Sequence, residues 1–275
     1  MKNIFKSGIT GNTLKLIALI TMVLDHIGYY FASELDYGVL LVLRWLGRMS
    51  MPIYTYLVVQ GFFYTKDFKK YVGRMFVLAM ITQASVSLVG YIGFRVTEMY
   101  YPQVCNSLNV LFTYTIALLV LRLLHERIII KKWDYTKNMS VRILLAIILC
   151  SVTVVVPMDY SYIGLVLTVL FYFIEKYKTK YLVWTEGFRK GIGQYIKFDD
   201  SKVVKTIYIF ALLLALVALA PAEPYPIPVI LAIIPLALYN GERGNKSKIL
   251  KYGYYLTFPL QHVLLYSLAI IFVLT

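Results

Sequence analysis

The sequence predicts an all-alpha fold: a polytopic membrane bundle of about nine transmembrane spans, with the second span broken. Three observations lead there. The chain of 275 residues is 60% hydrophobic, with a mean hydropathy of +0.70, whereas a water-soluble domain confines such residues to one core. Apolar runs of helical length recur along it and are continuous instead of alternating, which excludes a beta-barrel. Basic residues gather in alternate short connections, which is how cytoplasmic loops are marked. Nothing between the runs is long enough for a second folded unit, so residues 1–275 form one integral membrane domain.

The expected spans are 14–31, 38–64, 73–93, 105–124, 141–157, 160–175, 203–220, 226–239 and 252–273. The first, LKLIALITMVLDHIGYYF at its core, lacks a small-residue cleavage site and reads as a retained anchor. The second is too long for a straight crossing, and its stretch from Gly47 to Pro52, GRMSMP, is suited to divide it into two half-helices. The connection 176–202 mixes lysines with aromatic residues and suggests an interfacial helix around TEGFRKGIGQYI. Pro221, Pro224, Pro226 and Pro228 impose a stiff turn before the eighth span, which Pro235 interrupts.

Charge sets the expected orientation. Lys66, Lys69, Lys70 and Arg74 crowd one connection, Arg127, Lys131, Lys132 and Lys137 another. Lys176 to Lys190 and then Arg243 to Lys251 mark two more, while the intervening connections carry Glu34, Asp36, Arg95, Glu98, Asp159 and Glu223. With nine spans, this places the N-terminus in the cytoplasm and the C-terminus outside. The net charge of +14 is therefore assigned to topology and to contact with anionic lipid or phosphate, and no nucleic-acid partner is expected. Cys105 and Cys150 lack metal-ligand spacing, and with three dispersed histidines no metal is expected.

Ionisable groups inside apolar runs mark a functional site by default. Asp25 and His26 lie side by side in span one, and His262 lies near the middle of span nine. Arg44 and Arg48, one helical turn apart, are expected to face one point. A histidine can take a proton from an amine or hydroxyl nucleophile, a carboxylate can hold its tautomer, and an arginine can stabilise an oxyanion. Each has a structural alternative. Asp25 can pair with either arginine as packing glue, and His26 can be a satisfied hydrogen-bonding group. Gln261 or His262 can satisfy a carbonyl released by Pro259. His125, beside Glu126 and Arg127, reads as part of a solvated face. On the cytoplasmic side YNGERG presents Asn240, Gly241, Arg243 and Gly244, which together with Arg74 can receive phosphate, although Asn-Gly is also an ordinary turn.

Four segments, LKLIALITMVLDHIG, LGRMSMPIYTYLVVQGFFYTKDFKKYVGR, IPLALYNGERG and YYLTFPLQH, in this order, resemble TraX, a family of polytopic membrane proteins named for the enzyme that acetylates F-type pilin. The family is similar to a broader class of membrane acyltransferases that use cytosolic acyl-CoA and a histidine within the bundle. The resemblance implies a catalytic group of Asp25, His26, Arg48 and His262 and a donor site at Asn240, Gly241, Arg243 and Gly244. It also carries Gly47, Pro52, Phe258 and Pro259, and it places Asn109 and Asp159 at polar family positions. Gln60 departs from it, because glutamate is common there and an amide cannot accept the same proton. The implied donor is acetyl-CoA or another acyl-CoA, and the acceptor a small molecule, a glycan or a peptide N-terminus. A proton- or ion-coupled transporter also places Asp, His and Arg around a cavity beside broken helices. The remaining rival is a noncatalytic envelope or pilus assembly protein.

Overall fold

The computed structural model describes residues 8–97, 106–125, 129, 131–192, 206, 209–210, 213, 227–245 and 247–274. In chain order the described helices are α1 (Gly11–Tyr30), α2 (Tyr37–Gly47), α3 (Ser50–Tyr64), α4 (Phe68–Thr97), α5 (Val110–His125), α6 (Tyr135–Val155), α7 (Ser161–Ile192), α8 (Ile233–Leu238) and α9 (Lys248–Leu274), with a 3-10 helix at Ile227–Ala232 leading into α8. Short polar side chains set several of the starts. Thr10 accepts from the Thr13 amide, Asp36 from Gly38, Asp67 from Lys70 and Asp134 from Lys137. Each oxygen satisfies an amide that a first helical turn leaves without an intrahelical partner.

The second apolar run is divided where GRMSMP falls. Helix α2 ends at Gly47 and α3 begins at Ser50, with Arg48 and Met49 at the junction. The expected interfacial helix is, as far as Ile192, continuous with the sixth run in α7, and its remainder lies outside the described residues. Run eight is a 3-10 helix followed by a single short helix, as a prolyl ring at Pro235 dictates. Most of 203–220 lies outside the described residues, although Ile209 and Leu213 are fully buried in the common core.

Helices α1, α3, α5, α4 and α9 pack in succession around one interior, α9 closing back on α1. Outside this ring, α2 lies along α1, α7 backs α3 and α5, and α6 covers α5 and α7. The outward faces are apolar: Leu256, Leu260, Leu264 and Leu268 form an exposed stripe on α9, and Ile143, Leu144, Ile147 and Ile148 one on α6. The opposite face of α9 buries Phe258, Gln261, His262, Tyr266 and Ala269. An apolar exterior around a polar interior is the pattern a bilayer requires, so the protein is a helical membrane protein. Among the described residues four helices, α1, α4, α6 and Tyr252–Leu274 within α9, are long and apolar enough to cross a bilayer on their own.

Backbone pairings fix both ends. At one end Ile9 exchanges bonds with Leu238 and Asn240, and the α1 amides of Gly11 and Asn12 donate to the carbonyls of Glu242 and Arg243. At the other, Leu108 and Asp159 join the loops before α5 and α7. The Gln83 side chain, midway along α4, accepts from Asn109, so this second pair of loops dips into the bundle.

Candidate functional site

The ring of helices encloses a cavity of about 650 Å³. Its wall includes Asp25 and His26 from α1, Gln60 from α3, Arg74 from α4, Asn109 ahead of α5, Asp159 and Tyr160 ahead of α7, Gly241 and Arg243 ahead of α9, and His262 from α9. Residues from widely separated runs therefore share one space.

His26 and His262 meet directly. Their ring centroids are 4.3 Å apart with the planes at 46°. Nδ1 of His262 is 3.1 Å from the Tyr30 hydroxyl, and Tyr30 stacks on Tyr266 at 5.3 Å. Nδ1 of His26 is buried with no hydrogen-bond partner among the described residues. The Gln261 carboxamide lies against the same ring, and neither of its polar atoms has hydrogen-bonding geometry to a described residue. The alternative in which Gln261 or His262 satisfies a carbonyl freed at Pro259 is thus not what the side chains do. Along α1, His26 lies about 16 Å beyond Lys15 at the basic mouth, near half the thickness of a hydrocarbon core.

Asp25 pairs with Arg44, whose Nη1 is 3.1 Å from Oδ1 and 3.3 Å from the Asp25 carbonyl oxygen. This departs from an aspartate that holds the neighbouring histidine: adjacent residues on a helix project about 100° apart, and the carboxylate points to α2. Close approach of the two helices requires Gly47 and Gly28. A Cβ on Gly47 would overlap Asp25, and one on Gly28 would lie 3.0 Å from Cδ of Arg44. Arg44 and Arg48 take different partners, Arg48 standing at the C-terminal cap of α2 just before the break. Arg48 turns instead to the Tyr160 hydroxyl.

The YNGERG segment divides its labour. Asn240 donates to the Gly8 carbonyl and accepts from the Glu242 amide, making the turn. Gly241 and Gly244 adopt φ of 84° and 79°, the left-handed region that glycine enters without a Cβ penalty. Gly244 also packs against Thr10. Arg243 and Gly241 reach the cavity, and the exposed Arg243 joins Lys15, Lys66 and Arg74 at its mouth. Asn240 and Gly244 thus build the turn that presents Arg243.

Gln60 is buried in the wall with Nε2 unsatisfied among the described residues. Asn109 is committed: its amide group donates to Ala79 and Gln83, and its oxygen accepts from Leu111. Asp159 is exposed and accepts from the Ser107 hydroxyl at 3.1 Å. Next to it Tyr160 and Ser161 have φ of 58° and 31°, an uncommon backbone for non-glycine residues, and this turn brings Tyr160 to the cavity. His125 is exposed, as a solvated face implies, with Nδ1 3.2 Å from the Tyr172 hydroxyl.

Several participants escape sequence reasoning. Tyr30, Tyr160 and Lys15 carry no motif of their own. Glu175 is buried and accepts from the Tyr56 hydroxyl at 2.7 Å. Its position at the end of an apolar run disguises it as a loop charge, and the one signal was an acidic residue immediately after FYFI.

Comparison with known proteins follows the same residues. Over 116 residues the chain is 32% identical to the probable fimbrial assembly protein FimC, serogroup H1, of Dichelobacter nodosus, an alignment covering 42% of this chain. The chain spans just under half, 46%, of the length of that relative. No solved structure matches it. The profile described as TraX protein matches residues 10–268, from the Thr10 cap through the His262 face of α9, and the chain belongs to the TraX family.

Proposed function

We propose that the protein is a membrane-embedded acyltransferase that moves acetyl from acetyl-CoA to an amine or hydroxyl acceptor. The observation that supports this reading best is one continuous cavity between a mouth carrying Lys15, Lys66, Arg74 and Arg243 and the facing imidazoles of His26 and His262. Basic side chains suit the phosphates of coenzyme A, and their distance from the histidines suits a long donor whose thioester is remote from its charge. In the proposed orientation, with nine crossings, the N-terminus and the basic mouth are cytoplasmic and the C-terminus is outside.

In the reaction, the acceptor nitrogen or oxygen attacks the thioester carbonyl while an imidazole takes its proton. The carbon–sulfur bond then breaks, and the thiolate leaves with the proton returned by the imidazolium. The Gln60 Nε2 is a suitable donor to the carbonyl oxygen as it becomes negative. Asp25 and Arg44 act on this centre by fixing α1 against α2.

Purified protein in nanodiscs should bind coenzyme A, and replacing Arg74 and Arg243 together should weaken that binding. Unchanged affinity in the double variant refutes the donor route. The name of the Dichelobacter nodosus relative favours a second reading, a noncatalytic role in pilus assembly. That reading predicts full function in a folded His26→Ala variant and no turnover of labelled acetyl-CoA.

A further inference from the structure

Two buried groups without partners lie beside each other behind the cavity. His26 lines the wall, but its Nδ1 is shielded and has no hydrogen-bond partner among the described residues. The side chain of Gln261, one residue before His262 on α9, lies against the same ring and does not reach the wall. It is only 5% exposed, and both its oxygen and its nitrogen lack partners among the described residues. A buried imidazole nitrogen and a buried carboxamide are each unfavourable alone, and each is the complement of the other. The last torsions of both side chains are broad, so a rotation in place joins them without moving either helix. The neighbouring polar groups do not compete. Asp25 and Arg44 are joined to each other, and Nδ1 of His262 is 3.1 Å from the Tyr30 hydroxyl.

We infer that Gln261 is the positioning residue of His26: its Oε1 accepts from the Nδ1–H of the ring and leaves the Nε2 lone pair to the cavity. The role rests on the acyl-transfer reading above. An imidazole takes a proton only through a nitrogen with a free lone pair, so the tautomer decides whether the cavity faces a base or a donor. A carboxamide that donated its own N–H to Nδ1 would fix the opposite tautomer. Once the ring becomes an imidazolium, only the oxygen stabilises it, because Nδ1–H stays donated throughout. In transfer, one proton passes from the acceptor to Nε2 and from Nε2 to the departing thiolate, while the Nδ1 proton does not move. Gln261 thus supplies from α9, as a neutral group, the orientation that the adjacent Asp25 withholds by pairing with Arg44.

The test is nitrogen NMR of the protein in nanodiscs, with histidine as the labelled residue. The chain has three histidines, and replacing each in turn assigns the signals. At about pH 8.5, well above the ordinary imidazole pKa of ~6.5, His26 should be a single tautomer protonated at Nδ1. Gln261→Met, close in size but without an acceptor oxygen, should leave a mixture of tautomers. Gln261→Glu keeps the oxygen and should keep Nδ1 protonated. Protonation of His26 at Nε2, or a mixture, in the unaltered protein overturns the inference even if both variants fail to fold, and so does an unchanged tautomer in folded Gln261→Met. Turnover of labelled acetyl-CoA is the second readout. Gln261→Met should lower kcat by about tenfold to a hundredfold, the equivalent of one hydrogen bond to an imidazolium, with KM for acetyl-CoA unchanged. No turnover by the unaltered protein contradicts the acyl-transfer reading instead, and the tautomer, which needs no donor, is decided separately.

Discussion

At the scale of single residues, the proposed reaction assigns its chemistry to the two histidines. His26→Ala is expected to lower acetyl transfer by about a hundredfold to ten-thousandfold, the range for losing a general base. Coenzyme A affinity should hold, since the basic mouth is distant from it; labelled acetyl-CoA turnover and binding check both. Asp25 and Arg44 answer to a different assay. Their side chains are 13% and 15% exposed, so Arg44→Met leaves a buried carboxylate unpaired and should cost roughly 3–5 kcal/mol. The double variant Asp25→Asn with Arg44→Met should recover much of that loss in thermal unfolding, whereas equal losses in single and double variants rule out the pair as the cause.

At the scale of elements, the break between α2 and α3 and the approach of α2 to α1 position the site. Glycine at 47 lets the α2 backbone reach Asp25, and Gly47→Val must displace one helix. The expected cost is about 1–3 kcal/mol or more, read as a lower unfolding temperature and weaker coenzyme A binding. An unchanged unfolding temperature excludes the close contact. Much of this was legible in the residues. GRMSMP announced a break through glycine and proline chemistry, and Asp25, His26 and His262 stood out as ionisable groups in apolar runs. The pairings were not legible. Whether Asp25 faces His26 or Arg44 depends on helix rotation, which is decided by small residues, Gly28 packing against Arg44 and Gly47 against Asp25, far apart in the sequence. Glu175 and Tyr30 were hidden for the same reason, since their partners Tyr56 and His262 come from distant runs.

At the scale of the whole molecule, the apolar exterior and the ring of α1, α3, α5, α4 and α9 follow from the hydrophobic pattern, while the enclosed cavity follows from which polar groups the ring turns inward. The charge pattern of the connections assigns an orientation, testable by labelling single cysteines at Lys66 and at Asp36 with an impermeant reagent in a Cys105→Ser, Cys150→Ser background. Asp36 should react from outside the cell and Lys66 only after lysis; the reverse pattern inverts the topology. Central to the account is a passage that lets a phosphate-bearing donor deliver its thioester to two facing imidazoles. A structure of the protein bound to coenzyme A tests it most directly. The account predicts phosphates among Lys15, Lys66, Arg74 and Arg243 with the sulfur beside His26 and His262. Coenzyme A seated elsewhere, or with its thiol outside the cavity, would contradict it.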